Sequence, residues 1–228
     1  MIIERHESVP STQEYIKKFI KNREDAIVYA DMQTAGMGTK GRSFISEKGG
    51  LYVSKLTFYK NLRAENSWSI MVDTAVAVVK TLMAFNINAQ IKWPNDIWVN
   101  NKKICGILTQ NGIVGEFVDY SIVGIGINVN NDIANDIKEI ATSVKKILGK
   151  EVDLQSFFLS LTLNLSSGTT IEQYKSFSLV LGKKITVSRN GQIFESVVQD
   201  ILPNGALQLD NGERLYAGEI LKITLSQN

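Results

Sequence analysis

Asp31-Met32-Gln33-Thr34-Ala35-Gly36-Met37-Gly38-Thr39-Lys40-Gly41-Arg42-Ser43-Phe44 decides how the rest of the chain is read, because it sets three spaced glycines and two cations between two strand-like segments. Ala26-Ile27-Val28-Tyr29-Ala30 reads as a buried strand leading in, and residues 50–59, β-branched and aromatic, read as the strand leading out. A loop held at both ends can wrap an anion. Glycine lets backbone N–H groups approach a phosphate without side-chain interference, and Lys40 and Arg42 can add charge-assisted hydrogen bonds. It is not a P-loop, since no Gly-Lys-Ser/Thr opens a helix after it. Two further segments raise its weight: Ile91-Lys92-Trp93-Pro94-Asn95-Asp96 and Gly124-Ile125-Gly126-Ile127-Asn128-Val129-Asn130.

Composition bounds what surrounds the loop. The 228 residues, 44% of them hydrophobic, suffice for one substantial core and a small accessory domain, so the expectation is a soluble globular protein. Lys+Arg 25 against Asp+Glu 23 leaves a formal charge of +2, too balanced for a nucleic-acid footprint over the whole surface. The single cysteine, Cys105, excludes an intramolecular disulfide, and the single histidine, His6, leaves no Cys-His cluster for structural zinc. No stretch reaches the ~18 uninterrupted apolar residues of a membrane span, and the N-terminus breaks early into charge. The expectation is a cytoplasmic protein with no membrane partner.

Periodicity orders the rest. Ser11-Thr12-Gln13-Glu14 matches a capping box and predicts a helix start, with Tyr15, Ile16, Phe19 and Ile20 following at helical spacing. Trp68, Val72, Ala75, Val76, Val79, Leu82 and Met83 predict a long amphipathic helix over about residues 64–85. Strands are expected at 89–93, 97–99, 103–109 and 117–129, with turns at Asn100-Asn101 and Asn111-Gly112, in an antiparallel meander. Residues 132–177 lean helical, with Asp153 as a cap. From Leu181 on, short strands are punctuated by Asn190-Gly191, Asn204-Gly205 and Asn211-Gly212, which predicts a small β-barrel. The fold class is α+β, a mixed β-sheet backed by helices, with domains at 1–180 and 181–228.

Ser11-Thr12-Gln13-Glu14-Tyr15, the loop from Gln33 to Arg42, Lys92-Trp93-Pro94-Asn95-Asp96, Lys103-Ile104-Cys105-Gly106-Ile107-Leu108 and the segment Gly124 to Asn130 together resemble biotin protein ligase, in order and at similar separations. The resemblance covers nearly the whole chain. It implies the class II synthetase-like catalytic fold shared by biotin and lipoate ligases, followed by an SH3-like domain. It also implies the short, monofunctional form without an N-terminal DNA-binding domain. The family loop is usually written Gly-Arg-Gly-Arg-x-Gly-Arg; here Met37 and Thr39 stand at the first two arginine positions, and Phe44 stands where tryptophan is common.

The activity so implied joins biotin to ATP, giving biotinyl-5′-AMP and pyrophosphate, and then transfers the acyl group to a lysine of a biotin carboxyl carrier protein. By resemblance, Lys92 and Arg42 are catalytic. Ser11, Thr12, Gln13, Gln33, Gly36, Met37, Gly38, Thr39, Lys92, Gly106, Gly124 and Gly126 contact biotin, and Lys40, Arg42, Phe44 and Asn128 contact ATP or the adenylate. Mg²⁺ would bridge the polyphosphate, with no protein ligand assigned to it. Homodimerisation through the catalytic sheet occurs in the family.

Several of these residues keep a plainer reading. Alone, Lys92 reads as a solvent-facing strand lysine; the other motifs turn that reading around. Lys40 is a phosphate contact or a solvated loop charge, Asn128 a nucleotide contact or a turn former, and Ser11 a helix cap that presents Thr12. Asp96 reads first as a turn residue, and Cys105 as inert core. Two rivals stay in view, a lipoate-type ligase and a non-catalytic biotin or adenylate sensor. A nucleic-acid module ranks last, since Phe194 and Tyr216 are the only aromatics from Leu181 onward.

Overall fold

Seven strands, β1 (Ile2–His6), β2 (Ala26–Ala30), β3 (Leu51–Phe58), β4 (Gln90–Lys92), β5 (Asp96–Val99), β6 (Lys102–Val114) and β7 (Phe117–Ile127), form one sheet in a computed structural model that describes residues 1–189 and 191–224. Their order is β1-β2-β3-β7-β6-β5-β4. β1 and β2 run parallel and every other pair is antiparallel, so the sheet is mixed as expected. The parallel pair needs a crossover, which α1 (Thr12–Tyr15) and the 3-10 turn Ile16–Phe19 supply. Tight hairpins join β4 through β7. At Asn100-Asn101 both residues take positive φ, 49° and 61°, which asparagine tolerates better than most side chains and which suits a two-residue hairpin turn.

α2 (Trp68–Ala84) lies across one sheet face, with Val72, Ala75, Val76, Val79 and Leu82 packed in a common core with Ile27, Val53, Ile91, Ile97 and Ile125. α3 (Val144–Leu148), α4 (Leu154–Asn164) and α5 (Ile171–Ser176) follow, and α4 and α5 pack on α2. α2 is therefore buried nearly all round, Ala77 and Val78 included. This explains why the helical stretch Ala64–Ala84 is long and apolar enough by length and composition to cross a membrane, although most of it lies inside the fold. Asp153 caps α4 by accepting from Ser156 N at 2.8 Å.

The opposite face is covered only at one end. Ile16 and Phe19 pack there on Ala26, Val28, Leu56 and Ile122. Further along β3, β7 and β6, the same face stays open, and the site lies on it.

The terminal unit comprises β8 (Lys184–Arg189), β9 (Gln192–Ile201), β10 (Leu207–Leu209), β11 (Arg214–Leu215) and β12 (Glu219–Thr224). They form a five-stranded antiparallel sheet in the order β11-β10-β9-β8-β12, and where a barrel was expected no ladder among the described residues joins β11 to β12 to close one. Ile185, Val187, Val198, Ile201, Leu207 and Leu209 belong to the same buried cluster as α2.

Three expectations change. The helix at Ser11 is four residues long before tightening to a 3-10 turn, and Ser11 accepts from Glu14 N as its cap. Asn111-Gly112 is not a turn: β6 continues to Val114 through a register shift at Gly112/Ile113, and the chain reverses at Gly115, φ 59°. Gly112 is there because the Tyr120 ring lies over it, 2.3 Å from where a Cβ would sit. β12 is a strand that the Asn-Gly spacing did not signal. Gly205 and Gly212 take φ 86° and 85° at their turns, while Asn190 of the third Asn-Gly pair lies outside the described residues.

Candidate active site

The open face owes its hollow to glycine. Across β3, β7 and β6 the register sets Tyr52, Gly126 and Gly106 in one row, and Ser54, Gly124 and Leu108 in the next. With side chains missing from the middle, a trough runs along the sheet, walled by residues that fill the missing volume. A methyl group on Gly126 would meet the Phe44 ring at 2.6 Å, and one on Gly124 would meet Gln13 Oε1 at 2.6 Å. Phe44 and Gln13 are thus the two end walls.

A buried polar network forms the floor beside Gln13. Gln33 Oε1 accepts from Thr12 N at 2.8 Å and from Thr12 Oγ1 at 3.0 Å, while Gln33 Nε2 donates to Ser46 Oγ at 2.9 Å. Ser54 Oγ lies 2.9 Å from Thr12 Oγ1 and 3.1 Å from Gln13 Oε1, and Gln13 Nε2 donates to the Ile122 carbonyl at 3.2 Å. Thr12, Gln13 and Ser54 are all buried. Polar groups so deep in a mostly apolar sheet must be hydrogen-bonded, and here they bond one another while hydroxyls and carboxamides keep spare lone pairs toward the trough.

The glycine loop borders this trough as a small hairpin. Gly38 N donates to the Arg42 carbonyl at 2.7 Å and Phe44 N to the Gly36 carbonyl at 2.8 Å. Its tip takes left-handed backbone at Lys40, φ 57°, and Gly41, φ 73°. Gly38 itself is extended at φ −113°, so conformation does not require glycine there; a side chain would crowd the Arg42 carbonyl, 3.1 Å from a built Cβ. Gly36 is held tighter, with the Phe44 carbonyl 2.3 Å from its would-be Cβ, and it packs the loop rather than lining the trough.

A second, wider compartment opens next to the first and is cationic. Lys40, Arg42, Lys92 and Lys103 line it, Lys103 facing both compartments. Burial draws the Lys92 ammonium below the usual lysine range, with Asp96 opposing the shift. Its Nζ lies 4.2 Å from the centre of the Trp98 ring. Lys103 Nζ pairs with Asp96 Oδ1 at 2.7 Å. Arg42 reaches across to the terminal sheet and forms a two-pronged pair with Glu219, 3.2 and 2.7 Å, which holds the Glu219 carboxyl below its usual range. Asn95 ties the hairpin to β6, its Nδ2 donating to the Ile107 carbonyl at 2.7 Å.

The family model for biotin/lipoate A/B protein ligases matches residues 6–128, just over half of the 228 and all of the trough and its loop. The chain belongs to the biotin/lipoate A/B protein ligase family. Within the family, the bifunctional ligase/repressor BirA of Bacillus subtilis is 30% identical over 234 aligned residues, covering 94% of this chain and 72% of its own length. The biotin–[acetyl-CoA-carboxylase] ligase of Mycobacterium tuberculosis is 26% identical, covering 86% of this chain and 79% of that protein. Among solved structures, biotin protein ligase from Aquifex aeolicus in complex with biotin and ATP superposes with a TM-score of 0.76 at 27% identity, covering 98% of this chain and 99% of that one.

This ligase brings most of the residues singled out in its sequence to one place. Ser11, Thr12, Gln13, Gln33, Met37, Gly38, Thr39, Phe44, Gly106, Gly124 and Gly126 line the trough; Lys40, Arg42 and Lys92 line the wider compartment. Asn128 stands apart: it lines neither, and its side chain donates to the Thr142 carbonyl at 3.1 Å and accepts from Asn131 at 3.1 Å. Cys105 is fully buried, which pushes its thiol up and leaves it inert. Sequence reading missed Ser54, Tyr52 and Lys103 as site residues. Ser54 had a signal, a small hydroxyl next to Val53 in a largely apolar strand. Lys103 had none, because a bulge between Lys103 and Cys105 changes the phase of β6 and turns Lys103 onto the face of Gly106.

Proposed function

We propose that this ligase activates biotin with ATP and attaches it to a lysine of a carrier domain. The observation that carries the reading is the pairing of a polar-ended trough with a cationic compartment, joined at Lys103, Phe44 and Gly38. The ureido ring of biotin offers two N–H donors and a carbonyl acceptor, and Thr12, Gln13, Gln33 and Ser54 match that mixed pattern at the closed end. A dithiolane ring has no such groups. Lipoate in the trough would bury these hydroxyls and carboxamides against sulfur, which disfavours the lipoate alternative.

In the first step a carboxylate oxygen of biotin attacks the α-phosphorus of ATP and pyrophosphate leaves. Two anions must approach, and Lys92 supplies the cation where they meet, in a partly desolvated setting that strengthens its field. Arg42 and Lys40 face the phosphates from the loop. Mg²⁺ carried on the polyphosphate would neutralise part of its charge, and no residue of this chain is assigned to hold it. In the second step the carrier lysine amine attacks the acyl carbon, AMP leaves, and an amide forms. The relatives named as biotin–[acetyl-CoA-carboxylase] ligases support a carboxylase carrier domain as the acceptor.

The test is incorporation of labelled biotin into a biotin carboxyl carrier domain with ATP and Mg²⁺, run with lipoate as competitor. Incorporation unaffected by lipoate supports the reading. Transfer of lipoate in preference assigns the alternative, and tight biotin binding without transfer marks a sensor.

A further inference from the structure

The two strand lysines of the cationic compartment have different neighbours. Lys103 is neutralised by Asp96 at 2.7 Å. Lys92 pairs with Asp96 in register, yet forms no ion pair among the described residues; its Nζ rests 4.2 Å from the centre of the Trp98 ring. Trp98 stands opposite Lys103 across the β5–β6 bulge and opposite Gln90 on β4, so Lys92, Asp96, Trp98 and Lys103 share one sheet face. The indole Nε1 is buried and has no acceptor among the described residues, so no hydrogen bond of its own explains the ring's place.

A carboxylate partner would hold Lys92 tightly, but it would occupy the N–H donors and cancel the charge that two incoming anions need. An aromatic face attracts the cation through its quadrupole and takes no donor. Asp96, the nearest carboxylate in register, is already engaged by Lys103.

We propose that Trp98 is a positioning residue for the adenylation step, seating the Lys92 ammonium on its ring face with the N–H donors free for the biotin carboxylate and α-phosphate. The inference rests on the ligase reading above. The charged groups facing Lys92 are Asp96 on β5, Lys103 on β6 and Glu219 on β12, and all three remain when Trp98 is replaced. Loss of the ring therefore removes one favourable contact of the charged form, and the ammonium should lose its proton at lower pH.

The experiment is biotin-dependent exchange of labelled pyrophosphate into ATP, followed against pH for the full chain and for Trp98→Leu and Trp98→Phe. The leucine variant should lose roughly three- to thirty-fold in kcat with little change in the KM for biotin, and its alkaline limb should move down by about 0.5–1.5 pH units. The phenylalanine variant should recover most of both. A rate loss without a moved limb, or one that Trp98→Phe leaves unrestored, assigns Trp98 to packing alone and overturns the inference. Should the leucine variant not fold, Trp98→Phe decides it: the weaker ring predicts a limb slightly earlier than native, and an unmoved limb overturns the proposal. No exchange by the unaltered protein removes the ligase reading and this inference with it, whereas exchange unchanged in Trp98→Leu removes this inference alone.

Discussion

Under the proposed function the chemistry centres on Lys92, a half-buried charge, and its variants would separate binding from rate. Lys92→Ala should cut pyrophosphate exchange by about 10²–10³ or more while leaving biotin affinity measurable, since the charge matters most as carboxylate meets phosphate. Equal losses in affinity and rate would mark a ground-state contact. Burial lowers the Lys92 pKa, so activity should fall, as pH rises, earlier than an ordinary lysine would allow. Stability runs the other way: the native state holds this proton less tightly than the unfolded chain, so the penalty of burying the charge is present below the depressed pKa and fades as pH rises toward 10.5. Gly38→Val should weaken biotin binding because its branched side chain crowds the Arg42 carbonyl, 3.1 Å from the Cβ position, and displaces the loop. Unchanged affinity, measured by calorimetry, would remove the backbone-cradle argument.

Elements explain which parts of the site were legible in the sequence. α2, the strands flanking the glycine loop and the Asn100-Asn101 turn follow from period and turn chemistry, and the structure places them as read. Gly106, Gly124 and Gly126 were legible as close-approach positions, although what approaches in this structure is Lys103, Phe44 and Gln13. Lys103 and the end of β6 were not legible, because register shifts break the alternation on which strand reading depends. β12 was hidden for a related reason: its burial alternates poorly across its own shift at Ile220/Lys222. The polar floor is a long-range assembly of α1, β3 and the loop, and Gln33 ties α1 to the loop through Thr12 and Ser46. Gln33→Leu should therefore cost about 1–3 kcal/mol in a denaturant titration, by stranding Thr12 N and its hydroxyl, and should weaken biotin binding as well. Native stability in that variant would show that water replaces the carboxamide freely.

At the scale of the whole molecule, polar contacts next to the site tie the terminal sheet to the catalytic unit, in addition to the shared core. Trp93 Nε1 donates to the Gly205 carbonyl at 2.8 Å, beside the motif that carries Lys92, and Glu219 clamps Arg42 of the glycine loop. The loop therefore has an anchor in place of the arginines absent at positions 37 and 39. If those absent guanidinium groups matter for retention, Met37→Arg with Thr39→Arg should slow biotinyl-5′-AMP dissociation, by about 1–3 kcal/mol if charge-assisted bonds form, with less effect on free biotin. Equal off-rates would mean that Arg42, Lys40 or the clamp already does the holding. The central claim, that biotin and ATP meet at Lys92, is tested most directly without any carrier, by exchange of labelled pyrophosphate into ATP with biotin or lipoate as the only acid. Exchange that requires biotin and vanishes in Lys92→Ala is the predicted result; exchange driven by lipoate alone, or biotin binding with no exchange at all, would contradict it.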